Sequence, residues 1–169
     1  MFSEILDFDT CCETSKRIDF LYDIFRNDFV DNRCYLGQKI YIDPCSNKKR
    51  DGKEKIFWHV ITKQNSRTRK REFDKKRACR IKWINVIIEN YLDKKIKMFY
   101  YFEANKKIRL YLWAYEVDFI VIIQKLGKKS SYLVTSFYID RNYNKNIYKK
   151  RYEDYINRKD IRLNSCEWF

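Results

Sequence analysis

The chain has 169 residues, 45% of them hydrophobic and 18% aromatic, with one proline and three glycines; this excludes a linker-rich or disordered polypeptide and allows one well-filled core. Thirty-seven lysines and arginines against twenty-three acids give a formal net charge of +14, a field that attracts polyanions, nucleic acid first among them. No run approaches the roughly 18 apolar residues of a membrane span. The acidic start MFSEILDFDT lacks the basic head and apolar middle of a secretion signal, so no membrane partner and a cytoplasmic setting are expected.

Residues 16–30, KRIDFLYDIFRNDFV, place Ile18, Leu21, Tyr22, Phe25 and Phe29 on one helical face. CYLGQKIYIDP then reads as extended and ends at Pro44, and CSNKKRDGKEK reads as a basic loop whose Asp-Gly pair suits a hairpin turn. IFWHVIT reads as a strand, with His59, Phe57 and Ile61 on one face and Trp58, Val60 and Thr62 on the other. KQNSRTRKR is a basic connector. Residues 72–93 read as one long helix whose stripe is Phe73, Ile81, Ile84, Ile88 and Tyr91, with Arg77 and Arg80 continuing it. Two arginines on that face either pair with carboxylates or overlook an anion-binding cleft.

From residue 97 the period changes to two: KMFYYFEA, KKIRLYLWAYE, DFIVIIQKL and SSYLVTSFYI read as four consecutive strands of an antiparallel meander, followed by the helix NIYKKRYEDYINRK. The expected class is α+β. Ile108, Leu110, Leu112 and Ala114 form an apolar face, while Lys107, Arg109, Tyr111, Trp113 and Tyr115 form the other. Arginine interleaved with aromatic rings suits RNA, and equally suits an ordinary aromatic strand. Strict alternation in the last strand puts Tyr132, Ser136 and Tyr138 opposite Leu133, Thr135, Phe137 and Ile139.

Cysteines at 11, 12, 34, 45, 79 and 166 form no CxxC pair, and with a single histidine they point to reduced thiols rather than a zinc site. No cofactor or metal is expected. A magnesium nuclease needs clustered carboxylates, and Glu116 and Asp118 followed by Gln124-Lys125 lack the second acidic ligand. Neither a Gly-x-Ser-x-Gly elbow nor a glycine-rich phosphate loop is present. His59, on an apolar face, is either a hydrogen-bonded core residue or, as the one group whose ordinary pKa lies near neutrality, a proton carrier of the kind RNA cleavage needs, in which the neighbouring 2′-OH serves as nucleophile.

GKEKIFWHVITK, Arg77-Ala-Cys-Arg80-Ile-Lys-Trp83, IRLYLWAYEVDFIVII and YLVTSFYI followed by a basic helix together resemble the barnase–EndoU–colicin–RelE superfamily, in particular its phage and bacterial toxin branch, over residues 53–157. The resemblance implies a long helix packed on a four-stranded antiparallel meander. It also implies a metal-independent endoribonuclease acting on transfer or messenger RNA, as a toxin or phage-defence effector held by an acidic antitoxin or immunity protein. Residues 1–52 are then an N-terminal extension and 158–169 a tail of a single domain. On this resemblance His59 is the general acid or base, Arg109 with Arg77 or Arg80 holds the phosphate, and Thr135 or Ser136 orients it beside Tyr138. Lys63, Tyr111, Trp113 and Tyr132 complete the substrate surface. With one histidine, the second proton falls to Tyr138, Lys63 or water. The competing reading is a basic nucleic-acid-binding module without catalysis.

Overall fold

The computed structural model describes residues 2–44 and 47–168. After a short helix α1 (Phe8–Cys11), the amphipathic α2 (Arg17–Arg26) buries Leu21 and Phe25 and runs into a π turn, Asn27–Asp31, that buries Phe29. The next extended piece folds back on itself as β1 (Tyr35–Leu36) and β2 (Ile40–Asp43), with Ile40 and Ile42 inward. Asp51 and Gly52 both take positive φ, 52° and 74°, as a two-residue hairpin turn requires, and join β3 (Lys49–Arg50) to β4 (Lys53–Glu54). Helix α3 (Lys55–Ile61) follows directly, then the paired strands β5 (Thr62–Gln64) and β6 (Arg71–Phe73), so the basic connector is itself a hairpin. Two short helices, α4 (Lys75–Ala78) and α5 (Ile81–Glu89), lead to β7 (Ile96–Phe102), β8 (Ile108–Ala114), β9 (Phe119–Lys125) and β10 (Ser130–Tyr138), and α6 (Asn142–Ile156) comes last.

The four consecutive strands pair antiparallel, as their alternation predicts. The expected architecture of one long helix on that meander is overturned. The chain is α+β, but its centre is a curled, mixed, six-stranded sheet in the order β1-β2-β10-β9-β8-β7, flanked by short helices. The N-terminal residues enlarge the sheet, because β2 pairs parallel to the start of β10. Only Ser130, Ser131 and Tyr132 of β10 have that partner, which leaves the rest of its edge open to α3 and α4.

Both sheet faces are covered. On one side Leu110, Leu112, Phe119, Val121 and Ile123 pack with Phe25, Phe57, Ile84 and Ile88 from the helices; on the other, α6 covers Phe99, Tyr111, Trp113, Ile120 and Ile122. This explains why β9 reads FIVII without a polar residue: a strand buried on both faces has no solvent face to alternate with.

Two further expectations are corrected. The long helix over 72–93 divides because Asp74, with extended backbone, caps the start of α4 by accepting from the Arg77 amide, and Arg80 leaves helical geometry before α5. Phe73 therefore lies in β6 and is exposed, while Ile81, Ile84 and Ile88 are buried as their spacing predicts. IFWHVI is helical, not extended, because Ile56, Phe57, Val60 and Ile61 all enter the core, a pairing of positions that only a 3.6-residue period delivers. Buried packing thus overrides the preference of isoleucine, valine and aromatic residues for strands. Cys45 and the side chain of Cys11 lie outside the described residues; Cys34, Cys79 and Cys166 are buried free thiols. Among the described residues no helix is long and apolar enough to cross a membrane.

Candidate active site

Helix α3 is short, and its last carbonyls have no partner within it. The chain supplies partners from three other places. Thr62 caps the end by directing both its amide and its hydroxyl to the Trp58 carbonyl, and the Asp74 amide donates to Ile61 O at 2.9 Å. Arg71, from β6, donates to Thr62 O at 2.7 Å, to Thr62 Oγ1 at 2.8 Å and to His59 O at 3.5 Å. Arg77, from α4, donates to Thr62 O at 3.1 Å and to His59 O at 3.4 Å. Two guanidinium groups at a helix C-terminus also satisfy its negative dipole end.

Thr135 completes the junction. Its hydroxyl donates to His59 O at 3.2 Å and accepts from Arg77 Nη1 at 3.5 Å. A β-bulge decides which hydroxyl of the last strand is available. Register against β9 shifts between Leu133 and Thr135, so Thr135 shares a face with Tyr132 and Phe137, and Ser136 turns inward with Leu133 and Tyr138. Strict alternation, which puts Thr135 with Leu133 and Ser136 with Tyr132, fails at this one inserted residue. Ser136 is fully buried, and its Oγ has no hydrogen-bond partner among the described residues.

His59 is half-buried, and the charges of Arg71, Lys55 and Arg77 act on its ring. Burial first, then Arg71, Lys55 and Arg77, pull its pKa from 6.5 down to about 4, so the imidazole is neutral at neutral pH. Arg77 is anchored by Asp74 at 3.5 Å and stacks over Phe137 at 5.6 Å. Lys63, exposed, reaches the same carboxylate at 3.9 Å. Arg80 belongs to an adjoining cluster: it donates to Lys76 O at 2.8 Å and lies over the rings of Tyr138 at 4.6 Å and Trp83 at 5.2 Å.

The other sequence-derived residues lie elsewhere. Arg109 is on β8, where it bonds Gln124 at 3.3 Å and Glu103 at 3.5 Å. Tyr111 and Trp113 are buried beneath α6 and offer no ring to a base; the Tyr111 hydroxyl donates to Glu103 at 2.5 Å. Tyr132 is half-buried on β10 opposite Gln124. The structure therefore brings together His59, Arg77 and Thr135, with Lys63 at the rim, and leaves Arg109, Tyr111, Trp113 and Tyr132 outside. Sequence reasoning missed Arg71 and Asp74. The signals were an aspartate opening the DKKR helical turn and the alternation of REF, both hidden by the stronger helical period that follows.

Among the described residues no three His, Cys, Asp or Glu side chains gather at metal-binding spacing. A cavity of about 790 Å³ opens beside α2, but its lining includes Glu13, Asp19 and Asp23, which suits no polyanion. No described protein family, curated protein or solved structure matches the chain.

Proposed function

We propose that the protein is a metal-independent endoribonuclease whose site is the junction of α3, the β5–β6 hairpin and β10. One observation carries this reading. Arg77 and Thr135, respectively 18 and 76 positions from His59, both donate to the His59 carbonyl, beside the chain's only imidazole. The resemblance to the ribonuclease superfamily implies His59, Arg109 with Arg77 or Arg80, and Thr135 or Ser136; of that set, Arg77 and Thr135 reach the His59 carbonyl.

The chemistry needs a base, an anion clamp and a route for a second proton. A neutral His59 accepts the 2′-OH proton as O2′ bonds to phosphorus. The P–O5′ bond breaks, leaving a 2′,3′-cyclic phosphate, and the departing O5′ takes a proton from water, Lys63 or the adjoining Tyr138. Arg71 and Arg77 face the charge that develops on phosphorus. A bound phosphate also opposes the cations that depress the imidazole pKa, which makes His59 a stronger base in the complex than in the free protein. The reduced thiols suit a cytosolic protein, and the net charge of +14 suits an acidic inhibitor protein.

The test is incubation with transfer RNA in EDTA, with analysis of the product ends. Cyclic phosphate termini are expected, and His59→Ala should slow cleavage at least 100-fold, the low end of general acid–base contributions. Absence of cleavage across several RNAs, or full activity in the variant, refutes the reading. A second reading, RNA binding without turnover, is favoured by a specific observation: both guanidinium groups already serve the carbonyls of α3. It predicts binding that weakens steeply with salt and no cut products.

A further inference from the structure

The net positive charge is not spread evenly. Residues 48–73 hold ten lysines and arginines against three acids, so seven of the fourteen net charges fall in twenty-six residues. Those residues are the β3–β4 hairpin, α3 and the β5–β6 hairpin. Ion pairs occur both outside this segment, where Lys149 pairs with Glu153, Lys150 with Asp154 and Lys145 with Asp118, and on the first hairpin, where Lys49 pairs with Glu54, Arg50 with Asp51 and Lys53 with Asp19. At the tip of the second hairpin, Arg67, Arg69 and Lys70 are exposed and form no ion pair among the described residues.

The two hairpins are also held in place. They leave α3 from opposite ends, yet Trp58 Nε1 donates to Arg50 O at 3.0 Å, which ties the first hairpin to the helix. The charge of Arg50, on the first hairpin, acts on Arg71, on the second. The second is stiffened by its own turn: Asn65 Oδ1 accepts from the amides of Arg67 and Thr68, Asn65 Nδ2 donates to Glu72, and Gln64 Nε2 donates to Arg69 O. Like charges brought together on rigid arms raise the energy of the free protein and are relieved by a polyanion.

We propose that these two hairpins are a phosphate clamp that holds the RNA backbone on either side of the His59 junction. The inference rests on the ribonuclease reading only for the identity of the polyanion. The loop segments KKRDGKE and KQNSRTRKR contain no aromatic residue, so the arms offer nothing for bases to stack on. Their contacts are to phosphate, which positions the strand without reading its sequence. Substrate choice then lies at the junction itself, where the Phe137 ring stands beside Arg77.

The experiment measures binding of a fluorescent 2′-O-methyl RNA, which lacks the nucleophile and survives any cleavage, by anisotropy at several salt concentrations in EDTA. Replacing Arg67, Arg69 and Lys70 together by glutamine removes three phosphate contacts. The slope of log K against log salt should become shallower by about 2, with affinity falling roughly ten- to fifty-fold near 0.15 M salt. A control variant neutralises Lys94, Lys106 and Lys107, exposed residues at the far edge of the sheet. It should bind within about two-fold of the wild type, since distant surface charges are largely screened. The clamp is overturned if the hairpin variant keeps the wild-type slope, if the control loses as much as the hairpin variant, or if the wild type shows no salt-dependent binding. Clamp-like binding by a wild type that never cuts natural RNA would support the clamp and refute the ribonuclease reading, so the two fail separately.

Discussion

His59 is the only histidine, so its imidazole Hε1 proton can be followed by NMR through a pH titration without assignment by mutagenesis. The midpoint is expected near 4, well below the ordinary 6.5, because burial disfavours the charged ring and Arg71, Lys55 and Arg77 oppose it further. The consequence for stability has a definite sign. The unfolded chain binds a proton at about pH 6.5 and the folded chain only near 4, so the unfolded state holds more protons between those values. His59 therefore contributes stability that is fully present above the unfolded pKa and is lost as pH falls toward the folded one. At about 1.4 kcal/mol per unit the whole shift corresponds to about 3 kcal/mol, and solvent screening at a half-exposed ring reduces this to about 1–2 kcal/mol. Urea denaturation at pH 7.5 and pH 4.5 measures it. His59→Gln, which cannot take up the proton, should lose less stability than the wild type over that interval by the same 1–2 kcal/mol. Arg71→Gln should raise the midpoint by relieving one of the opposing charges. A midpoint at or above 6.5, or equal acid sensitivity in wild type and His59→Gln, would falsify the picture of an imidazole kept neutral by its surroundings.

Further outcomes test the same junction. Arg77→Gln should cost about 2–3 kcal/mol in urea denaturation, since it strips donors from the half-buried carbonyls of His59 and Thr62. Arg77→Lys should recover little of that, because a point charge cannot span two carbonyls, Thr135 and Asp74 at once; full recovery would refute the capping role. Ser136→Ala should leave stability unchanged or raise it by about 1 kcal/mol, since the buried hydroxyl has no partner to lose, whereas Thr135→Val should lower stability by about 1 kcal/mol and reduce RNA cleavage. The reverse ranking would mean that the bulge does not turn Thr135 toward α3. Phe57→Ala should destabilise by about 3–5 kcal/mol in the same assay, because this ring is fully buried against Tyr22 at 5.2 Å and Phe25 at 5.7 Å and anchors α3; a loss below about 1 kcal/mol would contradict that anchoring.

Much of the scaffold is legible in the primary structure. The four-strand meander follows from period-two runs between short turns, and Lys106 and Asp118 accept positive φ in two of those turns. The Asp51-Gly52 hairpin and the amphipathic α2 follow from turn chemistry and helical spacing. IFWHVIT shows where such reading stops. Its residue types favour a strand, and the competing pattern of Ile56, Phe57, Val60 and Ile61 spans too few residues to decide the period. Assigning it to a strand put His59 beside Phe57 and Ile61. As a helix it instead puts His59 near the C-terminal end, where Arg71, Arg77 and Thr135 can reach its carbonyl.

The amino-acid order alone determined the α+β class, the amphipathic α2, the four-strand meander and the excess of positive charge, because these depend on neighbours a few positions apart. It also singled out His59 by residue type, but left Arg77, Arg80 and Arg109, and Thr135 and Ser136, as alternatives beside it. Tertiary structure decided which arginine keeps company with the histidine: Arg71 and Arg77 through the folding of α4 and the second hairpin, while Arg109 goes to Glu103 on the face that α6 covers. It also decided between the two hydroxyls of the last strand, through one inserted residue in β10. Both outcomes turn on contacts between segments far apart in the chain, where burial and the need to partner buried carbonyls outweigh local preference.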